Sequence, residues 1–245
     1  MKLFIAKNKS LGDKKAFEII KKQVIKKPDS LIGLAAGKTI DGLYKLISKD
    51  VTKNPKVWSR LKCFQIDENL SASSDSRISF NYEIRKKLKR LLKSLYPRNI
   101  FLIDGTRNPK VIIKNAYKFI HKNKSIDLII LGIGPEYDPH IAYNTTGKSS
   151  LNSRMRVVDL HPKVAEKLVR ACHGKPQQGI TLGIKDILEC RKVLLIAYGK
   201  EKAKSIKLAF KGEVDTKRAS ASALQLYKNL NIVIDKEAGK YLRYN

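Results

Sequence analysis

Ile126-Asp127-Leu128-Ile129-Ile130-Leu131-Gly132-Ile133-Gly134-Pro135-Glu136-Tyr137-Asp138-Pro139-His140-Ile141-Ala142-Tyr143-Asn144 is the stretch that decides the fold. Its first half is an apolar run from Ile126 to Leu131, the pattern of a strand buried on both faces of a mostly parallel sheet. Its second half is a glycine-containing turn that presents a carboxylate and an imidazole two residues apart. In an open α/β sheet, ligands bind beyond the carboxyl ends of the strands. A carboxylate beside a histidine fixes the imidazole tautomer and suits it to proton transfer near neutral pH. The Asp-x-His pair also occurs in ordinary polar loops, so its weight comes from its neighbours along the chain.

The same apolar run recurs at Val193-Leu194-Leu195-Ile196-Ala197, and β-branched segments alternate with amphipathic ones almost from end to end. Strands are expected at Lys2 to Ala6, Leu31 to Ala35, Arg60 to Asp67, Asn99 to Ile103, Ile126 to Gly132, Met155 to Leu160, Ile180 to Leu182, Val193 to Tyr198 and Asn231 to Asp235. Helices are expected near 13–27, 40–50, 78–95, 109–123, 162–172, 184–190, 200–211 and 220–229. The alternation predicts an α/β protein with a single doubly wound, mostly parallel, Rossmann-like sheet and helices on both faces. No linker or internal repeat divides residues 1–245, so one domain is expected, and the serine-rich Asn69 to Arg77 segment is read as a loop.

Composition narrows the function classes. Hydrophobic content of 42% is ordinary for a globular chain and argues against disorder. No window approaches the roughly 18 consecutive apolar residues of a membrane span, and the N-terminal apolar run is too short for a signal peptide. A soluble, cytoplasmic protein without a membrane partner is expected. Cys63, Cys172 and Cys190 lack CxxC spacing, so neither a disulfide framework nor a zinc site is supported. The net charge of +29 is spread over most predicted helices. The densest segment, Arg85 to Lys93, has apolar residues at 84, 88, 91, 92 and 95, an amphipathic helix with a basic outer face. With no zinc-finger spacing, no RNP-like strand and only 7% aromatic residues, that face reads as solvated surface ahead of a nucleic-acid patch. Such a charge draws in anionic small molecules by long-range steering.

Three further strand exits carry chemistry. Leu31 to Ala35 runs into Ala36-Gly37-Lys38-Thr39 and then a helix, where free N–H groups and the helix dipole suit an anion. It lacks Walker A spacing, and a plain helix-entry turn is the competing reading. Ile66-Asp67-Glu68 places two acids at a strand's end, fitting a general base or a simple turn cap. At Tyr198-Gly199-Lys200-Glu201-Lys202-Ala203 a lysine in a first helical turn opposes the dipole, as it would opposite a bound phosphate. Lys200 and Lys202 also fit as two more exposed lysines.

In order and spacing these segments, together with Ser149 to Arg154, Gly179 to Ile184 and Ser222 to Gln225, resemble the glucosamine-6-phosphate deaminase family. That family lies within the superfamily that also holds 6-phosphogluconolactonase. The resemblance covers roughly residues 30 to 238. It implies conversion of glucosamine 6-phosphate to fructose 6-phosphate and ammonia, with no metal or other cofactor and a small-molecule sugar phosphate as partner. By position, Asp67 would move a proton between C2 and C1, and His140, oriented by Asp138, would help open the pyranose ring. Gly37, Lys38 and Thr39 would cradle the phosphate, Lys202 would supply counter-charge, and Arg170 is the nearest match to the family's phosphate arginine. The chain departs from the pattern with Thr145 in place of a glutamate. It also has a longer turn ending in Pro139, Ile40 in place of proline, and Lys38 in place of a small residue. These differences keep two alternatives open: a lactonase-type hydrolase in which His140 activates water, and a non-catalytic sugar-phosphate binder. Neither oligomeric state nor allosteric control is legible.

Overall fold

A computed structural model describes residues 1–171 and 178–242; at positions 167 and 169–171 it describes the backbone alone. Leu31–Leu34 (β2), Leu128–Leu131 (β6) and Val193–Ala197 (β9) are buried at every residue. Each Leu, Ile or Val buried this way contributes about 1.5–3 kcal/mol, so these runs become the middle of the sheet. They pair in parallel with Lys62–Gln65 (β3), Ile100–Phe101 (β5), Leu230–Asp235 (β10) and Lys2–Ala6 (β1). The order is β1-β10-β9-β6-β2-β3-β5. All nine sequence-predicted strands are present, with ends shifted by one or two residues.

Chain order reverses between β2 and β6. From β2 the chain proceeds outward through β3 to β5, then crosses back to β6 and proceeds the other way to β9 and β10. That reversal opens a crevice at the carboxyl ends of β2 and β6, where open α/β sheets place their ligands. Both the Gly37 turn and the Asp138–His140 turn leave the sheet there.

Three strands build a second, antiparallel sheet beside this crevice: Asp67–Asn69 (β4), Gln178–Thr181 (β8) and Arg156–Asp159 (β7), in the order β4-β8-β7. One long strand was expected from Arg60 to Asp67. Instead β3 stops at Gln65, and the chain steps through Ile66 into β4, pairing Asp67 with Thr181. Ile66 bridges both sheets, its N–H donating to Leu34 O (3.2 Å) and its carbonyl accepting from Leu182 N (2.9 Å).

Lys9–Lys26 (α1), Asp41–Lys53 (α2), Pro55–Trp58 (α3), Phe80–Lys87 (α4) and Lys89–Ser94 (α5) pack mainly with one another. Ile184–Leu188 (α8), Ala203–Phe210 (α9) and the 3-10 segment Ser220–Leu226 form a second group. Pro109–Lys122 (α6) and Pro162–Ala171 (α7) complete the helices. Local rules account for their starts. Asn8 accepts from Leu11 N and Asn108 from Lys110 N as N-caps, and Pro109 fills the first turn of α6. The helix expected over 78–95 is interrupted at Leu88, which caps α4 and precedes α5. The 200–211 helix begins as a 3-10 turn, and 220–229 is 3-10 over Ser220–Leu226. Cys63 and Cys190 are free, buried thiols, and burial pushes Cys63 up to about 12; Cys172 lies outside the described residues. Among the described residues no helix is long and apolar enough to cross a membrane.

Candidate active site

The turn after β6 folds back on itself. Gly134 N donates to His140 O (2.8 Å), and Asp138 N donates to Pro135 O (3.0 Å). A Cβ on Gly134 would meet Asp138 O at 2.1 Å, so only glycine permits this close return. The following residues are pinned from two sides. Asn144 Nδ2 donates to Leu182 O (2.8 Å) and Tyr143 N to Thr181 Oγ1 (3.1 Å), both beyond or within β8. On the other side Ala221 N donates to Pro139 O (3.1 Å), and the Ser220 hydroxyl donates to Asn144 O.

His140 is thereby held with Nδ1 2.8 Å from Asp138 Oδ2. A carboxylate only accepts, so Nδ1 carries the proton in this bond and Nε2 is left for exchange. The other Asp138 oxygen accepts from Thr146 N (2.8 Å). Burial pushes Asp138 upward, but the bonds from His140 and Thr146 prevail and hold its carboxyl below the ordinary value. It is therefore an ionised partner that fixes the imidazole. Thr146, one position past Thr145, completes this network through its backbone and hydroxyl.

Asp67 lies at the step between the two sheets, paired with Thr181 of β8 and 6% exposed. Its carboxyl is pushed up to about 8, first by burial and then by the negative charges of Glu68 and Glu83. Glu68 faces another way. Its carboxylate accepts from Gln65 Nε2, Ser79 Oγ and the N–H groups of Asn69, Phe80 and Asn81, at 2.7 to 2.9 Å. Two of those donors open α4, so Glu68 is the anion at a helix N-terminus. Of the two adjacent acids, Asp67 lacks such a set of donors.

Gly37 sits at the exit of β2 with φ of 118°, a conformation that favours glycine. Its N–H donates to Glu83 Oε1 at 2.6 Å, so it is engaged within the protein. The donors left at this turn are the N–H groups of Lys38 and Thr39, which open the 3-10 turn Lys38–Ile40 and have no intrahelical acceptor, and the Thr39 hydroxyl. Lys38 is exposed and Thr39 half-buried. Lys202 follows β9 and donates from Nζ to Ile133 O (2.7 Å), tying the third exit to the β6 turn. Burial lowers its proton affinity against the opposing pull of Glu201. The side chain of Arg170 lies outside the described residues.

The crevice thus combines a histidine–carboxylate dyad, a buried carboxyl of high proton affinity and a turn of free N–H groups. Among the described residues no cluster of three or more His, Cys, Asp or Glu is arranged to hold a metal. The family model described as glucosamine-6-phosphate isomerases/6-phosphogluconolactonase matches residues 12–230. The chain belongs to this family. A glucosamine-6-phosphate deaminase from Clostridium botulinum is 34% identical over 248 residues, covering 99% of both chains. One from Thermoanaerobacter pseudethanolicus is 31% identical, covering 99% of this chain and 95% of that one. A monomeric glucosamine-6-phosphate deaminase of known structure superimposes with a TM-score of 0.88 at 25% identity, covering 99% and 100%. The 6-phosphogluconolactonase of Trypanosoma brucei shares the fold, with a TM-score of 0.76 at 18% identity over 99% and 98%.

Sequence reasoning missed Glu83 and Lys87. They belong to a helix whose basic composition advertises a solvated face, and a lone acid in its first turn is what the helix dipole favours anyway. Gly37 and Glu83 meet across 46 positions of chain, and no local pattern signals that.

Proposed function

We propose that this protein converts glucosamine 6-phosphate to fructose 6-phosphate and ammonia. The carrying observation is the pairing of two acid–base groups with opposite preparation, in a family whose 31–34% identical members bear that activity in their names. Asp138 holds His140 with Nε2 free, suited to take the C1 hydroxyl proton and return it to the ring oxygen as the pyranose opens. Asp67, with its proton affinity raised to about 8, suits a carbon acid. As carboxylate it takes the proton from C2 of the open-chain aldehyde, giving an enol-amine, and returns it to C1. The product imine adds water at C2 and expels ammonia, so one water is consumed overall. The substrate's ammonium, entering beside Asp67, favours the carboxylate form the first step needs. Lys38 N–H, Thr39 N–H, the Thr39 hydroxyl and Lys202 would hold the phosphate, with Gly37 shaping the turn.

The test is ammonia release from glucosamine 6-phosphate by purified protein, with Asp67→Asn as the blank. Turnover that falls by about 10²–10⁴-fold in the variant, with binding of inorganic phosphate retained, supports the reading. Equal ammonia release from both proteins rejects Asp67 as the base. No release from the unmodified protein rejects the reaction.

A further inference from the structure

Glu83 is the acid in this crevice that the proposed reaction leaves without a task. Its carboxylate is placed by two donors that share one oxygen: Gly37 N–H at 2.6 Å and the Lys87 ammonium, both on Oε1. Lys87 in turn pairs with Asp41 and reaches Gly37 O (3.5 Å). The result is a rigid mount, with Glu83 and Lys87 one turn apart on α4 gripping both polar groups of the glycine. Oε2 makes no hydrogen bond among the described residues, and the side chain is 28% exposed.

The placement of Glu83 near Asp67 follows from the sheet. Leu34 of β2 lies opposite Gln65 of β3, so Ala36-Gly37 leaves the sheet beside Ile66-Asp67. No atom lies within 4 Å of a Cβ built on Gly37, which marks open space at this exit. The charge of Glu83 is also among those that raise the proton affinity of Asp67. In a chain of net charge +29, acids converge here, next to a turn prepared for an anion. Toward a purely anionic sugar phosphate, an extra carboxylate at this spot only repels. Toward a substrate with a cationic amine on the carbon Asp67 addresses, it attracts.

We propose that Glu83 is a specificity-determining residue, its Oε2 receiving the ammonium group of an amino-sugar phosphate and so selecting amino sugars over their hydroxyl counterparts. This rests on the deaminase reading of the site, and it identifies the group that recognises the substrate's nitrogen. Oε1 fixes the geometry and Oε2 does the recognition, which lets one residue brace the turn and read the ligand.

Two non-reacting ligands that differ only at C2 test it: 2-amino-2-deoxyglucitol 6-phosphate and glucitol 6-phosphate, titrated calorimetrically at neutral pH. Glu83→Gln keeps an oxygen for Gly37 N–H and removes the charge. The ratio of affinities, amine over hydroxyl, should fall about tenfold, the scale of one charge-assisted bond, with glucitol 6-phosphate binding held within about twofold. Glu83→Asp, which keeps the charge, should stay closer to the unmodified protein than Glu83→Gln. An unchanged ratio in Glu83→Gln, or equal weakening of both ligands, overturns the proposal and leaves Glu83 as a brace alone. Ammonia release by the unmodified protein separates the two failures: present with an unchanged ratio, only this inference falls; absent, the deaminase reading falls with it.

Discussion

A carboxyl buried without a cation costs the fold free energy in proportion to the shift in its proton affinity. Asp67 is such a group, with an ordinary value of 3.8 raised to about 8. The folded state binds this proton more tightly than the unfolded state. The cost is therefore absent below about pH 4, grows as pH rises toward 8, and is level above that. Asp67→Asn should accordingly raise the free energy of unfolding, read from denaturant titration, by a margin that widens from pH 5 to pH 8 and then stays constant, reaching about a few kcal/mol. A margin that is flat across this range would mean that Asp67 is not held protonated in the fold. Asp138 carries the opposite preparation. Asp138→Asn can offer its amide N–H to Nδ1 and reverse the imidazole tautomer, so kcat should fall by about 10²–10⁴-fold; a loss under tenfold in steady-state kinetics would exclude the dyad from the slow step. Asp138 and His140 stood out in the sequence because they are two residues apart in one turn, and Asp67 because it follows the apolar run that becomes β3. Glu83 was not, since its partner Gly37 arrives through tertiary structure.

At the scale of elements, β2, β6 and β9 were readable because complete burial leaves a continuous apolar run, and the remaining expected strands because β-branched segments alternate with amphipathic ones. The division of one run into β3 and β4 was hidden, because Gln65, Asp67 and Glu68 satisfy one another and the second sheet through contacts no local pattern encodes. The role of α1 was hidden for the same reason. Lys9, in its first turn, donates to Thr39 O at 2.8 Å, pairs with buried Asp13 at 3.0 Å, and lies 4.7 Å above the Tyr198 ring. It therefore joins the β2 exit to the β9 exit from behind, bracing the turn that offers Lys38 and Thr39 N–H. Lys9→Met removes the brace while leaving the acid–base groups in place. KM for the sugar phosphate should rise about threefold to tenfold with kcat within twofold, since the loss falls on binding common to ground and transition states. Lys9→Arg, which keeps a donor and a charge, should recover part of the loss. A fall in kcat with unchanged KM would instead place Lys9 in the chemistry.

For the whole molecule, the informative quantity is the contrast between a chain of 51 basic and 22 acidic residues and a strand exit where the charges of Glu68 and Glu83 bear on Asp67. Charge of one sign over the exterior raises the local concentration of an anionic substrate, and the fixed groups within the site then sort it. Steering of this kind is screened with a Debye length of about 10 Å at 0.1 M salt, whereas the bond between Asp138 and His140 is buried and screened far less. Salt should therefore act on capture and spare the chemical step. Between about 0.01 and 0.2 M sodium chloride, kcat/KM for glucosamine 6-phosphate should fall severalfold while kcat stays constant. Glucosamine, which keeps the ammonium and lacks the phosphate dianion, should show no such fall in whatever inhibition it exerts. If kcat/KM proves independent of salt, the basic exterior has no part in substrate capture, and the lysine-rich helices are solvated surface for this reaction.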